Sequence, residues 1–390
     1  MRTISDLPGD LVEEEIFSRA PITSLRSVRS TCKKWNFLSK NRVFFGKEAA
    51  AAARKQFMGF MMKDSRVCLM KLDLQGIGNK GELVYPCIKQ VSVLDQIKIF
   101  SVFQSSGLLL CVLKDMSRLL VWNPYLGQTR WVEPRDKFES GDKYALGYGY
   151  DDKKNRNHKI LMIFYEYDPN RSRHVSKSEL YDFSLDSWKV FDATPEWDIW
   201  GHQRGVTLKG NAYFPAQKMI EKKRVGGFML CFDFTRESFG PLLPLPFHAV
   251  GGEVFASLSC VREEKLAVLY RGWEKNEPVE IFVTDKIGPD VVSWTKFLTL
   301  LPGFFVNHSA GSFFIDEEKK FAVVLVLQNT KACRYHIAHI IGQDGYLELV
   351  NLGEAPCLGP ISGWEPGIYY TPLVCSSYVP CLDVLESITK

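Results

Sequence analysis

The amino-terminal part of the chain carries apolar residues at the three- and four-residue spacings of amphipathic helices. Two helices are indicated, on either side of Pro21, by Leu11, Val12, Ile16, Leu25, Val28, Cys32 and Trp35. Asp6 and Pro8 suit the cap and the first turn of the first helix. The alanine-rich run after Glu48 has a high helix propensity. We therefore predict a small all-α bundle over residues 1–50 and a helical linker over 51–60.

After residue 56 the pattern changes to short alternating runs separated by Gly, Pro, Asn and Asp, which predicts strands and hairpins. A weak repeat aligns Trp122, Tyr181, Phe232 and Val283, at intervals of 59, 51 and 51 residues. Leu72 lies 50 residues before this set and Ile341 lies 58 residues after it. Such intervals match four-stranded propeller blades.

We therefore predict that residues 61–390 form an all-β domain, a β-propeller of about six blades. A two-sheet sandwich is the competing fold, and the regular intervals favour the ring. The sequence motifs that usually mark propeller blades are missing. Only two pairs, Gly226-Gly227 and Gly251-Gly252, resemble the double glycine of kelch repeats. We expect the tail, residues 368–385, to supply a strand that closes the ring.

Composition narrows the class of protein. Hydrophobic residues make up 46% and charged residues 24% of the chain, as in ordinary globular proteins, and the net charge is only +4. The ten cysteines are scattered, and Cys111 and Cys231 lie in apolar runs, where a free thiol behaves as a small hydrophobe. No apolar stretch reaches the roughly 20 residues of a membrane helix. We therefore expect an intracellular protein, in the nucleus, the cytoplasm or both, with neither membrane nor nucleic acid as a partner.

Residues 4–44, ISDLPGDLVEEEIFSRAPITSLRSVRSTCKKWNFLSKNRVF, resemble the F-box motif. The likeness rests on the Leu-Pro pair, the SLRSVRSTCKKW core and their spacing. Short segments in the rest of the chain, such as NPYLGQTRWV, YALGYGYD and YTPLVCSSYVP, resemble the F-box-associated interaction domain of a large, kelch-like plant family. The resemblance covers nearly the whole chain.

The resemblance implies a substrate receptor of a Skp–cullin–F-box ubiquitin ligase. Its head would dock on a Skp-type adaptor, and through it on a cullin–RING ligase, while its body recruits an unknown protein for ubiquitination. The candidate adaptor-binding residues are Leu7, Pro8, Leu11, Val12, Ile16, Leu25, Val28, Arg29, Cys32 and Trp35. A bundle of about fifty residues cannot bury so many apolar side chains internally, which agrees with a docking surface.

One departure from the family pattern affects the first helix. Three residues, Glu13-Glu14-Glu15, stand where the family has two, and one extra residue rotates the preceding part of a helix by about 100°. Ala20 also replaces a larger apolar residue. We therefore predict that adaptor docking is weakened.

No catalytic, cofactor or metal motif emerges from the sequence. Residues 76–81 spell a dinucleotide fingerprint, but a strand-like ELVYP follows them instead of the required helix, so a hairpin turn is the better interpretation. His336 and His339 are three apart in a predicted strand and so face opposite sides. The basic clusters at 153–159 and 221–224 suggest exposed hairpin loops. We expect a protein that is not an enzyme and has no cofactor.

Target contacts are expected on loops at blade edges. The candidate segments are 134–143, 192–204, 216–226 and 271–279. The main alternative is a stand-alone propeller that binds a ligand such as a glycan, with Trp197, Trp200 and Trp273 as exposed stacking residues. A propeller enzyme is a third alternative, disfavoured because no cluster of metal ligands is apparent.

Overall fold

The computed structural model describes the chain from Gln56 to Ala355, with gaps, together with Cys381 and Leu385. The described ranges are 56–73, 86–91, 94, 96–124, 126–134, 141–151, 155–168, 173–191, 197–199, 204–220, 223–247, 255–272, 278–300, 312–329, 334–343, 345 and 347–355. Within them every regular element is a β-strand.

The strands of the described ranges form six antiparallel sheets, which we number in chain order. Sheet 1 contains β1 (Gln56–Lys63), β2 (Arg66–Asp73) and β3 (Pro86–Gln90). Sheet 2 contains β4 (Ile99–Ser105), β5 (Leu108–Leu113), β6 (Leu119–Asn123) and β7 (Gln128–Val132). Sheet 3 contains β8 (Lys143–Tyr150), β9 (Arg156–Asp168), β10 (Arg173–Asp182) and β11 (Ser187–Phe191).

Sheet 4 has six strands, four of them only two or three residues long: β12 (Trp197–Asp198), β13 (Val206–Leu208), β14 (Asn211–Ile220), β15 (Lys223–Asp233), β16 (Ser238–Phe239) and β17 (Leu243–Pro244). Sheet 5 contains β18 (Phe255–Val261), β19 (Lys265–Arg271), β20 (Val279–Gly288) and β21 (Val291–Leu300). Sheet 6 contains β22 (Ser312–Asp316), β23 (Phe321–Asn329), β24 (Arg334–Gly342) and β25 (Leu347–Ala355).

The repeat read from the sequence corresponds to one strand in each sheet. The six aligned positions fall on the penultimate strand of their sheets: Leu72 on β2, Trp122 on β6, Tyr181 on β10, Phe232 on β15, Val283 on β20 and Ile341 on β24. The alignment therefore located equivalent positions of successive sheets, although sequence similarity between the units is weak.

Six apolar clusters join the sheets into a ring. Phe60 and Leu69 of sheet 1 pack with Val102 and Leu109 of sheet 2, and similar clusters join sheets 2 and 3, 3 and 4, 4 and 5, and 5 and 6. Met61, Met70, Phe314 and Val323 then join sheet 1 to sheet 6 and complete the circle. The predicted all-β propeller architecture is confirmed, and the sandwich is wrong.

The predicted number of about six blades is not supported, because the described strands form five complete blades. Five sheets have the four or more strands of a complete blade, whereas sheet 1 has only three strands in the described part of the chain. The predicted helical linker is also wrong in part. Residues 56–60 belong to β1, where Phe60 is buried against sheet 2.

The polar residue that follows several of the aligned positions shapes the next turn. Asp182 accepts hydrogen bonds from the backbone amides of Ser184 and Leu185, and Asp233 accepts them from Thr235 and Arg236. These side chains satisfy backbone donors that the turn would otherwise leave unpaired, which is why short polar residues recur at this point. Asn123 acts in the same way toward the amide of Leu126.

The two ends of the ring differ. The innermost strands of sheets 2 to 6 are β4, β8, β13, β18 and β22, which contact one another in succession around the centre. We call the end where these strands begin the connector face; its described residues include 64–65, 114–118, 133–134, 141–143 and 204–205. The opposite end, the turn face, carries tight turns at 106–107, 124–127, 183–186, 209–210, 234–237, 262–264 and 317–320. Several of these turns need residues with positive φ, such as Ser106, Asp186 and Lys209.

Charged bridges across the turn face link neighbouring sheets. Lys159 ends the basic cluster 153–159 that the sequence placed in an exposed loop. Asn155 and Arg156 of that cluster are exposed, but the expectation is wrong for Lys159, which is 8% exposed on β9. Its ammonium contacts Asp182 of its own sheet at 3.4 Å and Glu237 of sheet 4 at 2.5 Å. Because both carboxylates lie beside it, the buried charge is compensated.

Candidate functional site

The ten candidate adaptor-binding residues lie outside the described residues. They are Leu7, Pro8, Leu11, Val12, Ile16, Leu25, Val28, Arg29, Cys32 and Trp35. Glu13, Glu14, Glu15 and Ala20 lie outside them as well. The predicted contacts and the predicted effect of the extra glutamate therefore stay predictions.

The described part of the chain begins at the turn face. The amide of Ile99, which starts β4 at the connector face, donates to the carbonyl of Ser65 at 2.8 Å. The β1–β2 turn at 64–65 is therefore at the connector face. Gln56 pairs with Asp73 at the opposite end of the same hairpin. Since β1 has eight residues, about 23 Å of strand separates Gln56 from the connector face.

The described ends of the four candidate target segments lie at the connector face. Segments 134–143 and 192–204 lead into β8 and toward β13, the innermost strands of sheets 3 and 4. Segments 216–226 and 271–279 span the β14–β15 and β19–β20 connections, which return at the same end. The topology thus brings together segments that are far apart in the sequence, although each is only partly described.

Arg204 forms the centre of this face. Its guanidinium donates to the carbonyl oxygen of Val102 on β4, and its Cζ atom lies 4.8 Å from the centroid of the Phe103 ring. The bond joins residues 102 positions apart, from sheet 4 to sheet 2. The next residue, Gly205, packs against Phe214, where a Cβ atom would lie 2.3 Å from the ring.

Lys143, the first residue of β8, shares this environment. Burial lowers the pKa of Lys143 to about 8, Asp142 and Asp198 act in the opposite direction, and the charge of Arg204 lowers it further. Each of these carboxylates also accepts from a tyrosine: Tyr144 donates to Asp142 at 3.2 Å, and Tyr165 donates to Asp198 at 2.7 Å. The side chains of Arg204 and Lys143 are half-buried, so a ligand approaching the connector face can reach them.

Three exposed apolar side chains lie at the same end of sheets 3 and 4. Tyr167 near the end of β9 is 53% exposed, and Ile220 and Val225 of the β14–β15 hairpin are each 45% exposed. In the strand register all three lie beyond the ends of the inner strands, toward the connector side. Exposed apolar residues that cluster near polar groups are typical of interaction surfaces.

Trp197 does not act as the exposed stacking residue that the glycan alternative requires. It is half-buried in the cluster between sheets 3 and 4, with its ring centroid 4.7 Å from that of Phe239. Trp200 and Trp273 lie outside the described residues. The single stacking candidate that the structure describes is therefore a packing residue.

The histidine prediction is confirmed in its geometry. His336 is completely buried on β24, whereas His339, three residues later, is partly exposed, as expected for residues on opposite faces of a strand. Burial, together with the nearby ammonium of Lys63, lowers the pKa of His336 to about 4. Within the described ranges no group of His, Cys, Asp and Glu has the arrangement of a metal site.

The cysteine prediction is also confirmed. Cys111 and Cys231 are free thiols with no exposed surface, and burial raises the pKa of each to about 12. The dinucleotide-like stretch 76–81 lies outside the described residues. None of the residues that the structure describes forms a helix with the length and hydropathy needed to cross a bilayer.

Sequence reasoning identified the segments of the connector face but not its central group. Lys143 is the last residue of candidate segment 134–143, and Arg204 is the last residue of segment 192–204. Val102 and Phe103 lie on β4, whose sequence indicated only an ordinary apolar strand. No local signal links Arg204 to β4, because the contact depends on how the ring closes.

The comparisons define the class of protein. Residues 58–383 match the family described as the F-box associated beta propeller domain, and residues 4–47 match the F-box domain. The chain therefore belongs to the F-box proteins that carry an F-box-associated β-propeller.

Two similar proteins come from the plant Arabidopsis thaliana. An F-box/kelch-repeat protein of Arabidopsis thaliana is 58% identical over 399 residues, with 99% of this chain and 97% of the relative covered. An F-box protein of the same species is 49% identical over 403 residues, with 99% and 100% covered. A chain in the crystal structure of a nidogen/laminin complex gives a TM-score of 0.37 at 9% identity, covering 83% of this chain and 99% of that one, too low to support an inference.

Membership of this family defines the role in general terms. F-box proteins are substrate receptors of Skp–cullin–F-box ubiquitin ligases, and they are generally adaptors without catalysis of their own. The resemblance seen in the sequence is thereby confirmed, as a plant F-box protein with a propeller.

Proposed function

We propose that this chain joins a Skp-type adaptor, through residues of its first fifty, to a protein target held at the connector face of the propeller. The observation that carries the proposal is the order of the two family matches, an F-box at 4–47 followed by a propeller from 58. The ubiquitin chemistry would belong to the RING partner and its conjugating enzyme. The receptor would contribute position, raising the effective concentration of target lysines.

The described geometry supports a division of labour between the two ends of the ring. The chain enters β1 at the turn face, and the candidate target segments converge on the connector face. A target bound there would not compete with the adaptor for the same surface. Because the sheets pack against two neighbours each, the ring is suited to hold that separation fixed.

The adaptor contact itself follows from the apolar content of the head. We expect the ten candidate residues named above to supply the contact, with helix-on-helix burial contributing on the order of 25 cal/mol per Å² before association costs. Arg29 and the neighbouring Lys33 and Lys34 would steer an acidic adaptor toward this surface. The complex would form in the nucleus, the cytoplasm or both.

Co-purification tests the proposal. Full-length chain expressed in plant cells should recover a Skp-type adaptor and cullin, whereas Leu25→Asp or Trp35→Ala should lose them. Leu349→Asp is the matched control, because Leu349 is 60% exposed on β25 of the propeller. Equal adaptor recovery by the Leu25 variant and the control would contradict the proposed docking surface.

The glycan-binding alternative predicts a different result. It requires glycan-array binding by the full-length chain and no adaptor recovery that depends on residues 1–50. The packing of Trp197 against Phe239 removes one of its three proposed stacking residues.

A further inference from the structure

The arginines that bridge sheets fall into two kinds. At the turn face each one has a carboxylate partner: Arg130 lies 3.2 Å from Asp186, Arg236 lies 3.0 Å from Asp290, and Arg262 lies 2.7 Å from Glu318. Arg204 at the connector face bridges sheets as well, yet it forms no ion pair with any carboxylate of the described ranges. Its described contacts are a carbonyl oxygen and an aromatic ring.

The charge of Arg204 is therefore incompletely compensated. Burial lowers the pKa of Arg204 to about 10, and none of the described carboxylates acts to raise it. A guanidinium offers five N–H donors, of which the carbonyl of Val102 takes only part. A desolvated cation of this kind favours an anionic partner with the planar geometry of a carboxylate or phosphate.

Lys143 adds a second cation on the neighbouring strand. Tyr144 and Tyr165 donate to the two carboxylates near it, Asp142 and Asp198, so these acids are partly engaged. Phe103, the ring that Arg204 covers, lies 6.0 Å from the ring of Tyr144, the residue after Lys143, and the charge of Arg204 lowers the pKa of Lys143. An anion beside both cations would relieve the repulsion between them.

We propose that Arg204 and Lys143 recognise an anionic side chain, carboxylate or phosphate, within the segment of the target that lies across the connector face. The exposed apolar residues Tyr167, Ile220 and Val225 would contact flanking apolar side chains of the same segment. This inference rests on the proposed receptor function and specifies the chemistry of its target.

Matched peptide arrays test the inference with the full-length chain. Short randomised peptides carry Glu, Gln or phosphoserine at one fixed position. The full-length chain is purified from plant cells by its own tag, with whatever adaptor it retains. Wild type should prefer Glu, phosphoserine or both over Gln by about tenfold or more, the effect expected of a partly desolvated charge pair. Comparison of the Glu peptides with the phosphoserine peptides shows whether the site prefers a carboxylate or a phosphate.

Four variants separate recognition from folding. Arg204→Gln and Lys143→Gln should each lose the preference, Arg204→Lys should retain part of it, and Lys286→Gln should retain all of it. Lys286 is an exposed cation toward the turn face of sheet 5, so its loss changes the net charge equally. Thermal melting shows whether each variant is folded. If Arg204→Gln is unfolded, Lys143→Gln provides the test instead.

The pH dependence of the preference for anionic peptides is a second test. Lys143 loses its charge as the pH rises through about 8, with Asp142, Asp198 and Arg204 as its charged neighbours. The anionic preference should therefore weaken between pH 7 and 9 in wild type, and Lys143→Gln should abolish that dependence.

No preference for anionic peptides in wild type, or a preference that survives in folded Arg204→Gln and Lys143→Gln, would overturn the inference. Adaptor recovery is measured in the same samples. If the adaptor is retained while the anionic preference is absent, this inference fails and the receptor function stands. If the preference is present while the adaptor is lost, the proposed function fails instead.

Discussion

At the scale of single residues, Lys159 shows how burial changes the role of a charge. Two carboxylates surround its ammonium, Asp182 within its own sheet and Glu237 in the next. Burial alone would raise the pKa of Glu237, but Lys159 and Lys189 hold it below its usual range. The same glutamate thus has one buried and one exposed lysine partner.

We predict that Lys159→Ala lowers the free energy of unfolding by about 2–4 kcal/mol, because two partly buried carboxylates lose their partner. Lys189→Ala is the control, since Lys189 contacts the same Glu237 but its side chain is 62% exposed. Its loss should cost less than about 0.5 kcal/mol. Urea unfolding measures both, and equal losses would contradict the role given to burial.

His336 predicts a pH dependence of stability. Its pKa is about 4 in the folded chain against a reference value of 6.5, so between these values the unfolded chain binds a proton that the folded chain does not. Stability is then fully present above pH 6.5 and decreases as the pH falls toward 4, by on the order of 3 kcal/mol.

Replacing His336 with Leu removes the titrating group and should flatten this part of the stability curve. Chemical unfolding at pH 7.5, 6, 5 and 4.5 compares the two proteins. Parallel curves for wild type and His336→Leu over this range would show that His336 does not account for the dependence.

At the scale of elements, the predicted first helix of the head carries the clearest departure from its family. If Glu13-Glu14-Glu15 shifts the helix phase by about 100°, deletion of one glutamate should restore a common face for Leu7, Pro8 and Ile16. We predict that the deletion increases adaptor recovery in a pull-down. Replacement of Glu14 by Gln, which keeps the length, is the control, and a loss or no change on deletion would refute the phase argument.

The tail is the second element of interest. The carbonyl of Cys381 accepts from Asn123 Nδ2 at 3.1 Å, and the amide of Leu385 donates to Gln128 Oε1 at 3.0 Å. Both residues are buried in the cluster between sheets 2 and 3. These two residues thus contact the ring, while the closing strand expected over 368–385 stays a prediction, because Cys381 and Leu385 are its only described residues.

At the scale of the whole molecule, the circular arrangement of six clusters predicts cooperative unfolding. Leu385, which comes late in the chain, is 5% exposed and packs in the cluster between sheets 2 and 3. We predict that Leu385→Ala lowers the stability by about 2–4 kcal/mol through the cavity it leaves. Because every sheet depends on two neighbours, the propeller should still melt in one transition, at a lower temperature.

Leu349→Ala is the matched control for this prediction. Leu349 is 60% exposed on β25, so its truncation should change the stability by no more than about 0.5 kcal/mol. Differential scanning calorimetry follows both variants. A split transition in Leu385→Ala would show that the sheets unfold independently, contrary to the cooperative ring.

Much of the fold was readable from local sequence because its determinants are local. The alternation of apolar residues indicated strands, and the polar residues after Trp122, Tyr181 and Phe232 indicated turns whose hydrogen bonds span only two or three positions. Residues 56–60 were misassigned because the propensity of the preceding alanines was extended into a strand that sheet 2 stabilises. Lys159 was misplaced because its partner Glu237 lies 78 positions away.

The sequence by itself determined the family, the presence of a helical head and a strand-rich body, and the spacing of equivalent strands, since each depends on periodicity and short motifs. Only the tertiary structure decided which segments share an end of the ring and which charges meet there. Arg204 reaches Val102 and approaches Lys143 because circular closure brings three inner strands together. No pattern within any one of those strands encodes that encounter.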